Sequence, residues 1–400
     1  MAICSAYSKA MLGICVLPLL ATPGCTIHLS NWGGSSNQVT YERTATQEAP
    51  RGTSTVLDVQ TEFGSIAVTG SETETFKIEA RIAGHAPTEE EARELAEQVE
   101  IKAEPVGDTL KVRARKPDLK NNRSVSVSYT ISSPGRMNVN CNSSYGSITV
   151  ADIEGTVNGK STNGSIKADN IQGTTDLDTL YGSITCNTIA GKSVTLRSTN
   201  GSITIADCKG TLKADTSYGS IACRRYSDGD LSLKSTNGRI ELTDASFGSC
   251  DADTSYGSVA CAHVKGDRIK LQSNNGNVEL DDGQAGRIEM STSYGGIKAG
   301  QVTTGDLAAR SGNGSANVTC TPACPPDLKA DVRSSYGSVT FTAPPAFAGQ
   351  VHLSTSYGSV RTARPVTMSG EIDKENIHGT IGQGTGSIHL ESGNGSIELK

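Results

Sequence analysis

Three cysteines, Cys186, Cys223 and Cys261, recur at intervals of 37 and 38 residues, and three aspartates, Asp178, Asp215 and Asp253, recur at the same intervals. Thiolates in a column could hold a soft metal ion, and carboxylates in a column could hold calcium. The local pattern argues against both. The cysteines take inward aliphatic positions of a repeat, two copies and about 9.6 Å apart by strand spacing, which is beyond disulfide or shared-ligand reach. They are expected as small buried hydrophobes. Arg197 and Lys234 fall between the aspartates, so that column is expected to be charge-paired surface. "NGKS" at Asn158 and "AGKS" at Ala190 lack the remaining glycine and the helix of a phosphate-binding loop. The chain contains no H-E-x-x-H or G-x-S-x-G, and its six histidines are scattered without ligand spacing. No metal, cofactor or catalytic group is expected. Cys320 and Cys324, in the loop "CTPACPP", are the candidate disulfide, while Cys141, Cys208 and Cys250 have no assigned role.

A second set of residues could do binding chemistry. Tyr145, Tyr181, Tyr218, Tyr256 and Tyr294, continuing through Tyr336 and Tyr357, each stand immediately before a glycine. If these rings point outward they line one edge, suited to stacking on sugar faces or on a partner's apolar groups. The plainer reading, and the preferred one, is a corner ladder that covers the backbone.

The elements that position these residues are repeats. Glycines fall at 146, 164, 182, 201, 219, 238, 257, 276, 295 and 314, then at 337, 358 and 395, so ten consecutive copies are spaced by 18 or 19 residues. One copy shows the pattern: Leu231, Leu233 and Ser235 precede Asn237-Gly238, and Ile240 and Leu242 follow. Tyrosine and asparagine alternate before the glycine. Asn-Gly favours a hairpin, but the type I′ turn needs positive φ at both central residues, a poor fit for tyrosine. Charge weighs the same way. Lys160, Asp178, Arg197, Asp215, Lys234 and Asp253 alternate in sign at one outward position, so neighbouring copies attract only if each is one coil of a parallel stack. The inward residues Cys186, Ile205, Cys223, Leu242, Cys261 and Leu280 alternate small with large. The expected fold is all-β, a parallel right-handed β-solenoid of about thirteen rungs, on the order of 60 Å long. Residues 320–335 and 364–384 break the pattern and are expected as loops or degenerate rungs.

Ahead of the repeats, residues 1–24 look like a secretory signal, and "ATPGC" resembles a bacterial lipoprotein box that would lipidate Cys25. The alternative is ordinary cleavage nearby. Residues 25–54 are Gly/Ser/Thr-rich and expected as a flexible tether. Residues 55–136 carry alternating strands and one helix, with Thr88 and Glu91 as its capping box, and are expected as a small α+β subdomain before the solenoid at 137–400. Net charge is −6 with no basic block, so no nucleic-acid partner is expected.

With its "NGSI" and "YGSI" phrases the chain resembles the bacterial putative-adhesin domain-of-unknown-function family over roughly residues 55–400. The resemblance implies a β-helical, secreted or lipid-anchored envelope protein and supplies no catalytic residues. The expected function is non-enzymatic: a protein held to the membrane by a lipid anchor in the cell envelope, presenting a repetitive surface to a polysaccharide or envelope protein. A carbohydrate-active β-helix enzyme and a purely structural spacer are the alternatives. The chain ends on a rung, and a bare sheet edge is aggregation-prone, so residues 364–384 or a partner are expected to cover that end.

Overall fold

The computed structural model describes residues 38–119, 122–368 and 375–400. It is an all-β parallel solenoid. Arg197 lies opposite Asp215 on the next rung, and Asp215 opposite Lys234 on the one after, so one repeat is one coil. Along each rung the apolar residues alternate inward: Leu231, Leu233, Ile240 and Leu242 are buried, while Ser232, Lys234 and Glu241 are not. This thin interior suffices because every rung is covered by the next on both sides.

The corner glycines are forced by stacking. A Cβ on Gly238 would sit 1.8 Å from the carbonyl oxygen of Gly219, and one on Gly257 would sit 2.1 Å from that of Gly238. Three residues earlier a buried serine or threonine closes the corner. Ser235 Oγ donates to Gly219 O at 3.0 Å and accepts from the amide of Gly238 at 2.8 Å. Thr216 does the same between Gly201 and Gly219. The repeated hydroxyl thus satisfies two buried main-chain groups that would otherwise be unpaired. A second bend lies six residues beyond each corner glycine from Gly146 to Gly295, at Asp152, Asn170, Thr188, Asp207, Arg225, Asp244, His263, Asp282 and Gln301, all with φ between 50° and 58°. Its polar side chains make their own column: Asn170 donates to Asp152 at 2.7 Å, and Arg225 pairs with Asp207 at 2.6 Å.

At the N-terminal end the structure redraws the expected boundaries. Residues 39–50, expected within the tether, form β1 (Val39–Pro50). Strands β2 (Val56–Thr61) and β3 (Ile66–Ser71), placed by sequence in the subdomain, are a rung of the stack, parallel to Asn138–Ser143 and Ile148–Ile153. Gly64 is that rung's corner, and a Cβ on Gly146 would meet its carbonyl oxygen at 1.8 Å. The chain between builds the cap: β4 (Thr75–Ala86), helix α1 (Glu89–Glu97), β5 (Glu100–Val106), β6 (Thr109–Arg115) and β7 (Ser124–Pro134). β6 and β7 lie parallel under β2 and β3; β5, β4 and β1 then pair antiparallel, with β1 outermost against β4. The helix starts as its capping box requires, Glu91 N donating to Thr88 Oγ1 at 3.3 Å, and buries Ala92, Leu95 and Ala96. Arg43 of β1 donates to Ala96 O at 2.8 Å, which ties the outermost strand to the helix C-terminus.

The other end is threaded out of order. Gly386–Ser392 lies between Lys329–Ser334 and Gly349–Thr355, parallel to both, and Ile397–Leu399 lies between Val339–Thr342 and Val360–Thr362. The last rung in sequence is therefore the penultimate rung in space. Asn376–Ile381 pairs antiparallel with Gly349–Thr355 and covers that side of the final rung, and Thr367–Met368 pairs with it in turn. The expected cover from 364–384 is thus present on this sheet, but over a different rung than expected, because the C-terminal rung is enclosed on both faces. The pattern breaks are also shorter than expected: Lys329–Ser334 is a regular rung strand.

Candidate functional site

The tyrosine edge starts at the corner itself. The residue before each corner glycine cannot point into the stack, since the main chain of the neighbouring rung passes there at hydrogen-bond distance: Tyr218 N donates to Thr199 O at 2.9 Å and Asn237 N to Ser217 O at 2.9 Å. The two residue types then behave differently. Asparagine folds back, Asn237 Nδ2 donating to Ser217 O at 3.1 Å and Asn163 Nδ2 to Ser144 O at 3.3 Å. Tyrosine projects. Tyr218 is 65% exposed and Tyr357 79%, with Tyr145, Tyr181, Tyr256, Tyr294 and Tyr336 all close to 60%. Covering the backbone therefore falls to the asparagines. Phe63 begins the row by stacking on Tyr145, centroids 4.8 Å apart, and Lys116 Nζ lies 5.5 Å from the Phe63 ring centroid.

Alternation survives where the sequence breaks it. Tyr336 and Tyr357 are successive in sequence, but the inserted rung places Asn394 between them, with Ser392 Oγ on Gly337 O at 3.0 Å and Thr355 Oγ1 on Gly395 O at 2.8 Å. From Tyr145 onward every second rung therefore carries a tyrosine, about 9.6 Å from the next by strand spacing.

Beside the rings run shallow polar grooves. One of about 500 Å³ is lined by Asp178, Arg197, Asp215, Lys234 and Asp253 with the hydroxyls of Thr199, Ser217 and Thr236. Two others open beside Tyr294 and beside Tyr336, lined by serines with Arg310 between them. The charges in these grooves neighbour one another as expected, but their ion pairs run diagonally. Arg197 reaches Asp176 at 3.4 Å and Lys234 reaches Asp251 at 4.0 Å. Farther along, Arg268 faces Arg287 and Arg310 faces Arg333, and each like-charge pair shares one carboxylate, Glu289 or Asp331. Burial pushes those two carboxyls up, but hydrogen bonds and charge from two arginines outweigh it and hold both below the usual range.

The cysteines lie where the repeat puts them. Cys186, Cys223 and Cys261 are buried in the interior, joined by Cys141, Cys208 and Cys250. Burial raises all these thiols, Cys141, Cys208 and Cys261 to about 12, which makes them inert at neutral pH. Cys320 and Cys324 are both buried free thiols. Their mutual hydrogen bond lowers the Cys324 thiol and raises that of Cys320. Cys324 Sγ also sits 3.4 Å from the amide of Thr304 and 3.3 Å from Val302 O. Cys25 lies outside the described residues. Sequence reasoning missed one cluster: three of the six histidines, His352, His378 and His389, stand side by side on adjacent strands. The signal was the out-of-order rung, readable only from the broken tyrosine alternation.

Among solved structures, the chain is similar to one described as a "putative cell adhesion protein" from Clostridium sporogenes ATCC 15579, at 12% identity over 90% of this chain and 99% of that one, TM-score 0.20. It is also similar to a "putative adhesin" from Bacteroides fragilis NCTC 9343 at 11% identity over 90% and 97%, TM-score 0.27. A "putative lipid binding protein" from Parabacteroides distasonis ATCC 8503 is similar at 11% identity over 89% and 96%, TM-score 0.24. Scores this low carry no argument about fold; the parallel solenoid is established by the strand pairing of this chain. No curated protein matches the chain. Over residues 223–400, rather less than half its length, the chain matches the family model described as Toastrack DUF4097.

Proposed function

We propose that the protein is a non-enzymatic, lipid-anchored protein of the cell envelope whose tyrosine edge binds an extended glycan or an envelope partner. The observation that carries this reading is the periodic row of exposed rings, with grooves lined by hydroxyls and charges opening beside Tyr294 and Tyr336. Sugar rings present apolar faces that stack on aromatic rings and hydroxyls that hydrogen-bond to flanking polar groups. A ring on every second rung repeats at a distance comparable with a disaccharide of a linear polysaccharide, so one chain could engage several rings and gain by multivalency. Exposed aromatic rings contribute little to folding, and spending seven of them on one edge is better accounted for by recognition.

In this reading Cys25 of "ATPGC" carries the anchor, and the short stretch between it and β1 would join the rod to the membrane. A binding screen of the full chain in detergent against glycans and envelope proteins tests the reading. Binding that is lost in Tyr218→Ala/Tyr256→Ala, with unfolding unchanged, is the expected result. Binding indifferent to these substitutions refutes the tyrosine edge. Polysaccharide turnover abolished by changing one carboxylate would establish the enzyme alternative instead.

A further inference from the structure

The fold brings together side chains that are 26 and 37 residues apart in sequence. His352 pairs in register with His378 on the antiparallel capping strand and with His389 on the parallel inserted rung, so three imidazoles cross three adjacent strands on one outward face. Val351 and Leu353 on either side of His352 are buried, which fixes the direction of the row. The Nδ1 atoms of His352 and His378 are 3.2 Å apart, and the His389 ring centroid is 4.8 Å from that of His352.

That nitrogen separation is close to the roughly 3.3–3.4 Å between two ligands of one tetrahedral ion with bonds of about 2.0–2.1 Å. As they stand the three rings do not converge on one centre among the described residues. Recruiting His389 requires its side chain to turn away from its present partners, since its Nδ1 accepts from Arg333 Nη2 at 3.2 Å and lies 3.5 Å from Asp331 Oδ1. The nearby cation is already neutralised, since Arg333 bonds Asp331 at 2.6 Å and Glu391 at 3.2 Å. Glu391 Oε2 also lies 3.9 Å from His389 Nε2.

We propose that His352 and His378, with His389 as third ligand, form a binding site for a divalent transition cation of the imidazole-preferring class, zinc, nickel or copper. The ion would join the capping strand Asn376–Ile381 and the inserted rung Gly386–Ser392 to Gly349–Thr355, and so fasten the end of the rod where its threading departs from sequence order. Metal occupancy would therefore couple to the integrity of the cap.

The full chain, prepared without a polyhistidine tag and stripped with chelator, is titrated with Ni²⁺ and with Zn²⁺ at pH 7.5. The expected result is saturable binding of one ion, weakened at least about tenfold by either His352→Gln or His378→Gln and less by His389→Gln. His263→Gln, far from the row, leaves it unchanged. Bound metal is further expected to slow proteolysis within the capping strand Asn376–Ile381, and metal affinity is expected to fall at pH 5, where protons compete for the ligand nitrogens. Absence of saturable binding at millimolar metal overturns the proposal. So does binding insensitive to His352→Gln and His378→Gln when circular dichroism shows both variants folded.

Discussion

Thr216 offers a direct measure of what holds neighbouring rungs together. Its hydroxyl donates to Gly201 O at 3.0 Å and accepts from Gly219 N at 3.2 Å, and the side chain is only 6% exposed. Valine has nearly the same shape, so Thr216→Val keeps the packing and strands both main-chain groups. Each buried unmatched group costs about 1–3 kcal/mol, and the added methyl returns about 0.8 kcal/mol. The net expectation is a loss of roughly 1–5 kcal/mol. Thr216→Ser keeps both hydrogen bonds and removes only a methyl, for about 1 kcal/mol. Serine is also what the alternate rungs carry, at Ser198 and Ser235. The difference between the two variants isolates the hydroxyl from the packing. Urea unfolding followed by circular dichroism gives the global value, and hydrogen exchange at the Gly219 amide reports local opening, which a stack of rungs permits. If Thr216→Val falls within about 0.5 kcal/mol of Thr216→Ser, the hydroxyl column does not hold the corners and the reasoning is refuted.

Four further outcomes are expected. Gly238→Ala drives a Cβ to 1.8 Å from rigid main chain and should destabilise by about 3 kcal/mol or more in the same urea assay, whereas Tyr218→Ala should change stability by less than about 0.5 kcal/mol. Ending the chain after Thr385 removes the rung between Lys329–Ser334 and Gly349–Thr355, so limited proteolysis should cut the remaining segment beyond Val339 first. In protein exported to an oxidising compartment, non-reducing peptide mapping should find Cys320 bridged to Cys324, with Cys186, Cys223, Cys250 and Cys261 unmodified by iodoacetamide until unfolding. Glu289 and Asp331 have folded pKa values below their unfolded ones, so their contribution is present above about pH 4 and fades as pH falls through the lowered values. Glu289→Gln/Asp331→Asn should flatten the dependence of the urea midpoint on pH below that point.

Much of this molecule was legible as text because a solenoid writes its tertiary contacts into sequence periodicity. The charges at Lys160, Asp178, Arg197, Asp215 and Lys234 settled parallel stacking and one repeat per rung, since only that arrangement makes in-register neighbours opposite in sign. The glycine spacing located the corners for the same reason: each must clear the backbone of the rung before it. Even the diagonal ion pairs follow from long arginine and lysine stems leaning past their nearest partner.

What the periodicity could not convey is the order of stacking wherever serial order fails. Gln38–Pro50 looks like a linker by composition, yet twelve residues of it pair with β4, because a sheet edge accepts any extended main chain whatever its side chains. The Phe63 rung joins the stack across an excursion of some seventy residues, and the Asn394 rung is inserted between two older ones, so both ends are closed by contacts of long sequence separation. The alternation of Tyr336, Asn394 and Tyr357 and the gathering of His352, His378 and His389 depend on the inserted rung. Local pattern determines which residues face in, which face out and how far apart rungs lie, because side-chain alternation and strand spacing are local constants. Which rung sits on which is decided by competition among nearly equivalent edges, and only the folded stack resolves it.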